Sequence, residues 1–271
     1  MNLIEIRNRF IAEGYDFLDA SSKVCQDILL SKIAKSPLSK NVTIKGGVVI
    51  QGISTYARRA TRDLDLDLIK YPLEDSAIHE FIRMLDRVDD GVLVKIVSPI
   101  EKLSHQEYHG KRVSVELTDS VKNTIGIKLD VGVHKSFKME QEEFCFELSS
   151  IGECVQLLIN SKEQMFTEKL KSLLKLGRFS TRYKDLFDFY YFINMTNLDK
   201  SKLINCLNEI IFDAEDMKEK NVEDIYNRLK SILANKTYAE KANTARNNWL
   251  GLPFDKVIDS ILLFFSTLKP Q

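Results

Sequence analysis

The chain has 271 residues, of which 44% are hydrophobic, and its 39 basic and 39 acidic residues give a formal net charge of zero. This balance excludes a global basic footprint for nucleic acid, so that any contact with a polyanion must come from local patches. No apolar run approaches the ~20 residues of a membrane span, and the first residues show no apolar signal-peptide core. We therefore expect a cytoplasmic protein. The cysteines show no metal-ligand spacing and are expected to be thiols in a reducing compartment: Cys25, Cys145, Cys154 and Cys206.

The first 150 residues mix helical and strand patterns. A helical pattern over residues 2–35, with a break at Gly14, is expected to cover one face of a sheet. The remaining predicted elements, in chain order, are a strand at 42–44, a helix at 48–58, a strand at 63–69, a helix at 75–87, and strands at 92–97, 111–118, 124–134 and 144–148. This order predicts an α/β (α+β) domain over residues 1–150, built on a mixed sheet flanked by helices.

From about Glu153 onward, strand patterns are expected to end and helical periodicity to take over. The predicted helices cover residues 161–176, 182–195, 200–213, 222–234 and 253–267. We therefore predict a helical domain over residues 151–271.

The strand at 63–69 alternates acid and leucine. Side chains two residues apart in a strand point to the same face, so Asp63, Asp65 and Asp67 share one face while the leucines face the core. Two carboxylates about 4 Å apart repel by roughly 1 to 4 kcal/mol, and a divalent cation reverses that sign. Mg²⁺ suits such a site because it takes one or two carboxylates together with substrate phosphates. The alternative is a solvated edge strand whose acids deter pairing. The pattern assigns no role to Asp67.

A Gly-Gly turn precedes the acidic strand. Gly46 and Gly47 lead into a predicted helix, whose unhindered backbone N–H groups and positive dipole end favour a phosphate. A lone Gly-Gly is usually only a turn. The order Gly-Gly, helix, basic turn and D-x-D nevertheless predicts a site for a nucleoside triphosphate and a metal.

A second acidic strand position lies in the segment IGIKLDVGV. Here Asp130 is the only acid on a face that otherwise carries glycine and lysine. If this strand neighbours the D-x-D strand, Asp130 joins Asp63 and Asp65, and three carboxylates could hold two metals about 3.5–4 Å apart. The alternative is a single solvated aspartate.

The helical half carries a further charged pattern, FTEKLKSLLKLGRFSTRYKDLFDF. Lys169 borders the core face of its predicted helix, and Asp185 and Asp188 lie three residues apart on the next. From the residues alone, the pattern favours an amphipathic hairpin with surface salt bridges.

These blocks, in this order over about residues 42–195, resemble the DNA polymerase β-type nucleotidyltransferase superfamily. Within it, Lys-Gly-Gly followed by TRDLDLD, the E-K-L lysine and the later K-D aspartate are similar to the AbiEii/AbiGii toxin family. The resemblance implies a Mg²⁺-dependent transfer of a nucleotide from an NTP, by the toxin of an abortive-infection toxin–antitoxin system. It implies that Lys169 binds triphosphate oxygens, and that Asp185, or Asp188 if the register slips, completes the nucleotide site.

The resemblance further implies a cognate antitoxin and an RNA acceptor, with tRNA the first choice. The basic residues that could contact RNA, or be ordinary surface charge, are Arg58, Arg59, Arg62, Lys171, Lys175, Arg178 and Arg182. Three alternatives stay open. The acceptor is a protein side chain, the chain is a non-catalytic nucleotide- or RNA-binding module on the same fold, or it is an interaction protein with a solvated acidic strand.

Overall fold

The structure is a computed structural model, and it describes residues 1–103, 110–134, 139–244 and 246–268. It divides into two compact units, Met1–Asn160 and Ser161–Gln271. No helix within the described ranges is long and apolar enough to cross a membrane.

The first unit is a mixture of helices and strands. Its helices are α1 (Leu3–Ala12), α2 (Phe17–Lys35), α3 (Gly46–Ser54) and α4 (Asp75–Asp86), and its strands are β1 (Val42–Lys45), β2 (Asp63–Leu68), β3 (Val92–Ile96), β4 (Glu101–Lys102), β5 (Lys111–Asp119), β6 (Thr124–Val133), β7 (Gln141–Leu148) and β8 (Glu153–Asn160). The predicted α/β class is confirmed.

Within the described ranges, the strands form one eight-stranded sheet of order β3-β5-β6-β2-β1-β8-β7, with β4 paired to β5. The pairs β2–β6 and β1–β8 are parallel, whereas β1–β2, β3–β5, β5–β6 and β7–β8 are antiparallel. The sheet is therefore mixed, as predicted. The acidic strand β2 lies near its centre.

The two faces of β2 differ as the alternation predicts. Leu64, Leu66 and Leu68 are fully buried. At the start of this strand, Gln26 of α2 donates from Nε2 to the carbonyl oxygens of Asp63 and of Thr61, which lies just before β2, at 3.2 and 3.0 Å. Helix α2 thus runs along the sheet, and Gly14, with φ of 100°, separates it from α1. The leucine face supplies core, which leaves the aspartates on the other face.

Two local predictions about the first unit need correction. The helix predicted at 48–58 is α3, which begins already at Gly46 and ends at Ser54, where Thr55 adopts a left-handed conformation. The strand patterns do not end at Glu153, because Glu153–Asn160 forms β8. Its Val155, Leu157 and Ile159 are buried, so the sequence does alternate with the period of a strand, but only over a short segment.

The expectation of four free thiols is also wrong. Cys145 and Cys154 form a disulfide between β7 and β8, with Cα atoms 6.1 Å apart. Cys25 and Cys206 are buried thiols. Spacing along the chain did not indicate the pair, because the two cysteines meet only when β7 and β8 form a hairpin.

The second unit is helical, as predicted. It contains α5 (Lys162–Leu176), α6 (Lys184–Met195), α7 (Lys200–Leu207), α8 (Val222–Leu233), α9 (Lys236–Ala242) and α10 (Phe254–Thr267). The helix predicted at 200–213 changes to a π-helical turn at Asn208–Phe212, and α9 was not predicted. Phe166 lies in the core of this unit, with ring centroids of neighbouring phenylalanines 5.0 to 6.3 Å away.

Candidate active site

The acidic positions of β2 and β6 lie side by side. The parallel pairing places Asp65 opposite Asp130 and Asp63 opposite Lys128. Asp63 and Asp65 are partly exposed, whereas Asp130 is buried. The two strands are thus neighbours, which was the condition for Asp130 to join Asp63 and Asp65, and three carboxylates share one region of the sheet surface.

The Gly-Gly turn contacts this region directly. Gly46 has φ of +69°, and a Cβ atom there would lie only 2.2 Å from Asp65 Oδ2. At Gly47 a Cβ atom would lie 2.6 Å from Thr61 Oγ1. Larger residues are therefore excluded by contact at both positions, and by backbone conformation at Gly46. The first turn of α3 begins against the Asp65 carboxylate.

Sequence reasoning missed Arg112 of β5. This residue pairs with Asp130 across the β5–β6 ladder, and its Nε and Nη2 donate to Oδ1 and Oδ2, both at 2.7 Å. The two hydrogen bonds raise the pKa of the Arg112 guanidinium, and the nearby Asp63 charge adds to the effect. The alternation of β5 placed Arg112 on a polar face, but only the register shows which acid it meets.

The surroundings of Asp63 disfavour its charged form. Burial raises the pKa of the Asp63 carboxyl, and the charge of Asp130 raises it further, while Arg112 and Lys128 oppose the shift. A bound cation would relieve both the desolvation and the repulsion.

Asp67 has a structural partner. Lys45 Nζ lies 2.7 Å from Asp67 Oδ1, and both side chains are largely buried. Gly132 makes room for them, because a Cβ atom there would lie 2.2 Å from Asp67 Oδ1. The third acid of the run therefore joins β1 to β2.

The donor set fits a magnesium ion bound by few protein ligands. Among the residues that the structure describes, no three His, Cys, Asp or Glu side chains gather closely enough to hold a metal by themselves. Asp130 is engaged by Arg112, and Asp63 and Asp65 lie on alternate positions of one strand. Because Mg²⁺ commonly takes one or two carboxylates plus phosphates and waters, this pair is sufficient in chemistry.

The sequence-predicted lysine of the second unit is held by both candidate aspartates. Lys169 Nζ lies 2.5 Å from Asp185 Oδ1 and 3.0 Å from Asp188 Oδ2. Asp188 is fully buried and accepts the indole N–H of Trp249 at 3.1 Å. The sequence motif left open whether Asp185 or Asp188 is the relevant aspartate, and in the structure both contact the same ammonium.

Several of the basic residues proposed to contact RNA have internal partners instead. Arg59 is buried, and Arg62 binds Asp16 and Asp19 at 2.9 and 2.7 Å. In the second unit, Lys171 and Lys175 both pair with Asp216, and Arg182 lies 3.5 Å from Asp185. Arg58 and Arg178 are exposed. The RNA footprint itself stays a prediction.

With this geometry in place, comparison with known proteins gives a family. The family model described as "Nucleotidyl transferase AbiEii toxin, Type IV TA system" matches residues 27–259, most of the chain and parts of both units. The chain belongs to the AbiEii toxin family. Membership in this nucleotidyltransferase family of a type IV toxin–antitoxin system supports a transferase activity, and it confirms the resemblance seen in the motifs.

Two further comparisons add little to the AbiEii assignment. No curated protein matches the chain. Among solved structures, it is similar to an antigenic nucleotidyltransferase-like protein from Paracoccidioides brasiliensis, with 17% identity, 82% of this chain and 91% of that chain covered, and a TM-score of 0.47.

Proposed function

We propose that this AbiEii-family chain transfers a nucleoside monophosphate from an NTP to an RNA hydroxyl, with Mg²⁺ as cofactor and tRNA as the first acceptor to test. One observation carries the proposal. Asp65 pairs in register with Asp130 while its carboxylate lies against the Gly46 turn, so the acids and a phosphate-binding turn meet at one point. A solvated edge strand does not require that contact, and β2 is in any case an internal strand.

Each candidate site residue of the first unit has a role in this reaction. The backbone N–H groups after Gly46 and Gly47 bind phosphate oxygens at the start of α3. Asp63 and Asp65 hold the metal, which when bound neutralises charge on the phosphates. Asp130 accepts the proton of the attacking hydroxyl, whose oxygen bonds to the α-phosphorus as pyrophosphate leaves. For this, Asp130 must first part from Arg112, which is then available to a phosphate.

In the second unit, we assign Lys169 to the triphosphate and the two aspartates to positioning it, as the family resemblance implies. Asp185 and Asp188 orient the ammonium from two sides, which limits its freedom. A lysine held in this way is a fixed point charge that suits phosphate oxygens. This assignment is tested separately from that of the carboxylates.

The family also implies a partner. A toxin–antitoxin system contains a cognate antitoxin, which we expect to oppose the activity of this chain in cells. Protection from growth arrest by a neighbouring gene is the simplest observation of that partner.

Direct transfer is the decisive experiment. The purified chain is incubated with Mg²⁺, total tRNA and each α-labelled NTP in turn, beside Asp63→Asn, Asp65→Asn and the control Asp89→Asn. Asp89 is an exposed acid in the turn before β3, so its replacement tests for a general effect of lost charge. We expect label in RNA with the native chain and with Asp89→Asn only. Label in protein instead identifies a side-chain acceptor, and label in neither fraction contradicts transfer to tRNA.

A further inference from the structure

We propose that a pocket in the helical unit binds one unpaired nucleotide of an RNA strand, with the base against the Phe179 ring and the phosphate on two cations. The choice of RNA as ligand rests on the proposed function. The pocket has a volume of about 260 Å³ and is lined by Arg178, Phe179, Asn235, Thr237, Tyr238 and Lys241. None of these residues belongs to the acidic site of the first unit.

The turn after α5 builds one side of the pocket. Gly177 has φ of +55°, a backbone conformation that L side chains rarely adopt, so the turn favours glycine there. The turn Gly177–Phe179 then directs Arg178 and Phe179 outward. On the other side, the Asn235 side chain accepts the Tyr238 N–H at 3.0 Å, which fixes the start of α9.

The exposed Phe179 ring of the pocket suits a base. The Phe179 side chain is 75% exposed, the largest exposure among the large hydrophobic residues of the described chain, whereas Tyr238 is 2% exposed. The Arg178 guanidinium lies over the Phe179 ring at 5.1 Å from its centroid. Unpaired bases are bound in this way, by stacking on aromatic rings and on guanidinium planes.

The charge of the pocket suits a phosphate. Arg178 and Lys241 are both exposed, and within the described ranges neither forms an ion pair with an acid. By contrast, Lys171, Lys175 and Arg182 of the same unit are each paired with aspartate. The two pocket cations therefore keep their full attraction for a polyanion.

The size of the pocket favours a strand over a free nucleotide. Pockets that enclose a whole small ligand occupy roughly 300–1,000 Å³, and this one, at about 260 Å³, is smaller. A single base and its phosphate can enter while the rest of the strand continues in solvent. Asn235 and Thr237 supply polar groups at the edge for the base.

The test is equilibrium binding of the full chain to a fluorescein-labelled oligoadenylate of about ten nucleotides, within the range of single-strand site sizes. Phe179→Ala removes the stacking ring, and Leu263→Ala is the matched control, because Leu263 is 64% exposed on α10 outside the pocket. We expect Phe179→Ala to weaken binding about 5- to 100-fold and Phe179→Tyr to restore it. Leu263→Ala should leave the affinity unchanged.

Two further arms identify the ligand. Wild-type chain should bind an abasic oligonucleotide of the same length more weakly, and Phe179→Ala should cause no further loss with that probe. Arg178→Gln and Lys241→Gln should each reduce the slope of log affinity against log salt by about 0.7, with exposed Lys256→Gln as control.

The proposal is overturned if Phe179→Ala binds the oligoadenylate as the native chain does. It is also overturned if free ATP competes with the strand at equal nucleotide concentration, since the pocket would then be a mononucleotide site. Binding is measured without NTP or Mg²⁺, so a failure of transfer chemistry leaves this result unaffected. Conversely, if the native chain transfers nucleotide to tRNA but Phe179→Ala binds the oligoadenylate normally, the proposed function stands and the proposed role of the pocket is wrong.

Discussion

Gly46 and Asp65 lie in direct contact: a single methyl group added to Gly46 would lie 2.2 Å from the Asp65 carboxylate oxygen Oδ2. The turn at the start of α3 therefore packs directly against the acidic strand β2. Because the contact involves backbone on one side, the glycine cannot be replaced without moving either the turn or the carboxylate.

Gly46→Ala tests this contact. Its left-handed backbone alone costs an L-residue about 1–2 kcal/mol, and Gly152→Ala is a matched control with the same φ of +69° but no atom within 4 Å of the added carbon. We expect backbone strain to lower the free energy of unfolding by a similar amount in both variants. Gly46→Ala should lose further stability because its methyl group also meets the Asp65 carboxylate. Transfer should fall about 100-fold in Gly46→Ala, as expected for a misplaced reacting group. Equal activity in the two variants would contradict the role of this contact.

Arg112→Gln tests the engagement of Asp130. The loss of two charge-assisted hydrogen bonds should lower the free energy of unfolding by about 1.5–3 kcal/mol. Because a positive charge close to Asp63 is removed, Mg²⁺ should bind at a lower concentration, as measured by calorimetric titration. Lys111→Gln is the control on the adjacent position of β5, where the ion pair is with exposed Asp75. Unchanged Mg²⁺ affinity in Arg112→Gln would show that the Arg112 charge does not act on the metal site.

Asp63→Asn should remove a loss of stability that the Asp63 carboxyl causes as pH rises. The folded protein holds the Asp63 proton more tightly than the unfolded chain, since burial and then Asp130 raise the pKa above its ordinary 3.8. The contribution of Asp63 to stability is therefore lost as pH rises from 3.8 through the raised pKa. Without Mg²⁺, Asp63→Asn should be the more stable protein at neutral pH, with the gap closing on acidification. Urea unfolding at several pH values measures the gap; a gap that widens at low pH would contradict this account.

Lys169→Met separates structure from chemistry in the helical unit. Removing the ammonium leaves two buried carboxylates without the cation they share, at a cost of about 3–5 kcal/mol. The triple variant Lys169→Met/Asp185→Asn/Asp188→Asn should regain part of the stability, because no buried charge remains, yet it should stay inactive in transfer. Lys171→Met on the same helix, which breaks a pair with half-exposed Asp216 at 3.5 Å, is the control. Transfer by the triple variant would show that the cluster is purely structural.

The sequence by itself predicted the elements whose pattern is local. Alternation in β2 placed Asp63 and Asp65 opposite the buried leucines, and periodicity located most helices of the second unit within one or two residues at either end. The family motifs added the function class, which the family match then confirmed. These signals survive without tertiary information because each depends on residues a few positions apart.

Only the tertiary structure decided which groups meet. The pairing of Asp65 with Asp130 joins strands far apart in sequence, and the engagement of Asp130 by Arg112 depends on the register of a third strand. The same holds for the insertion of β8 beside β1 and for the disulfide of Cys145 with Cys154. Strand periodicity fixes the face of a side chain but not its neighbour, because a register is chosen by the packing of the whole sheet rather than by the residues of one strand.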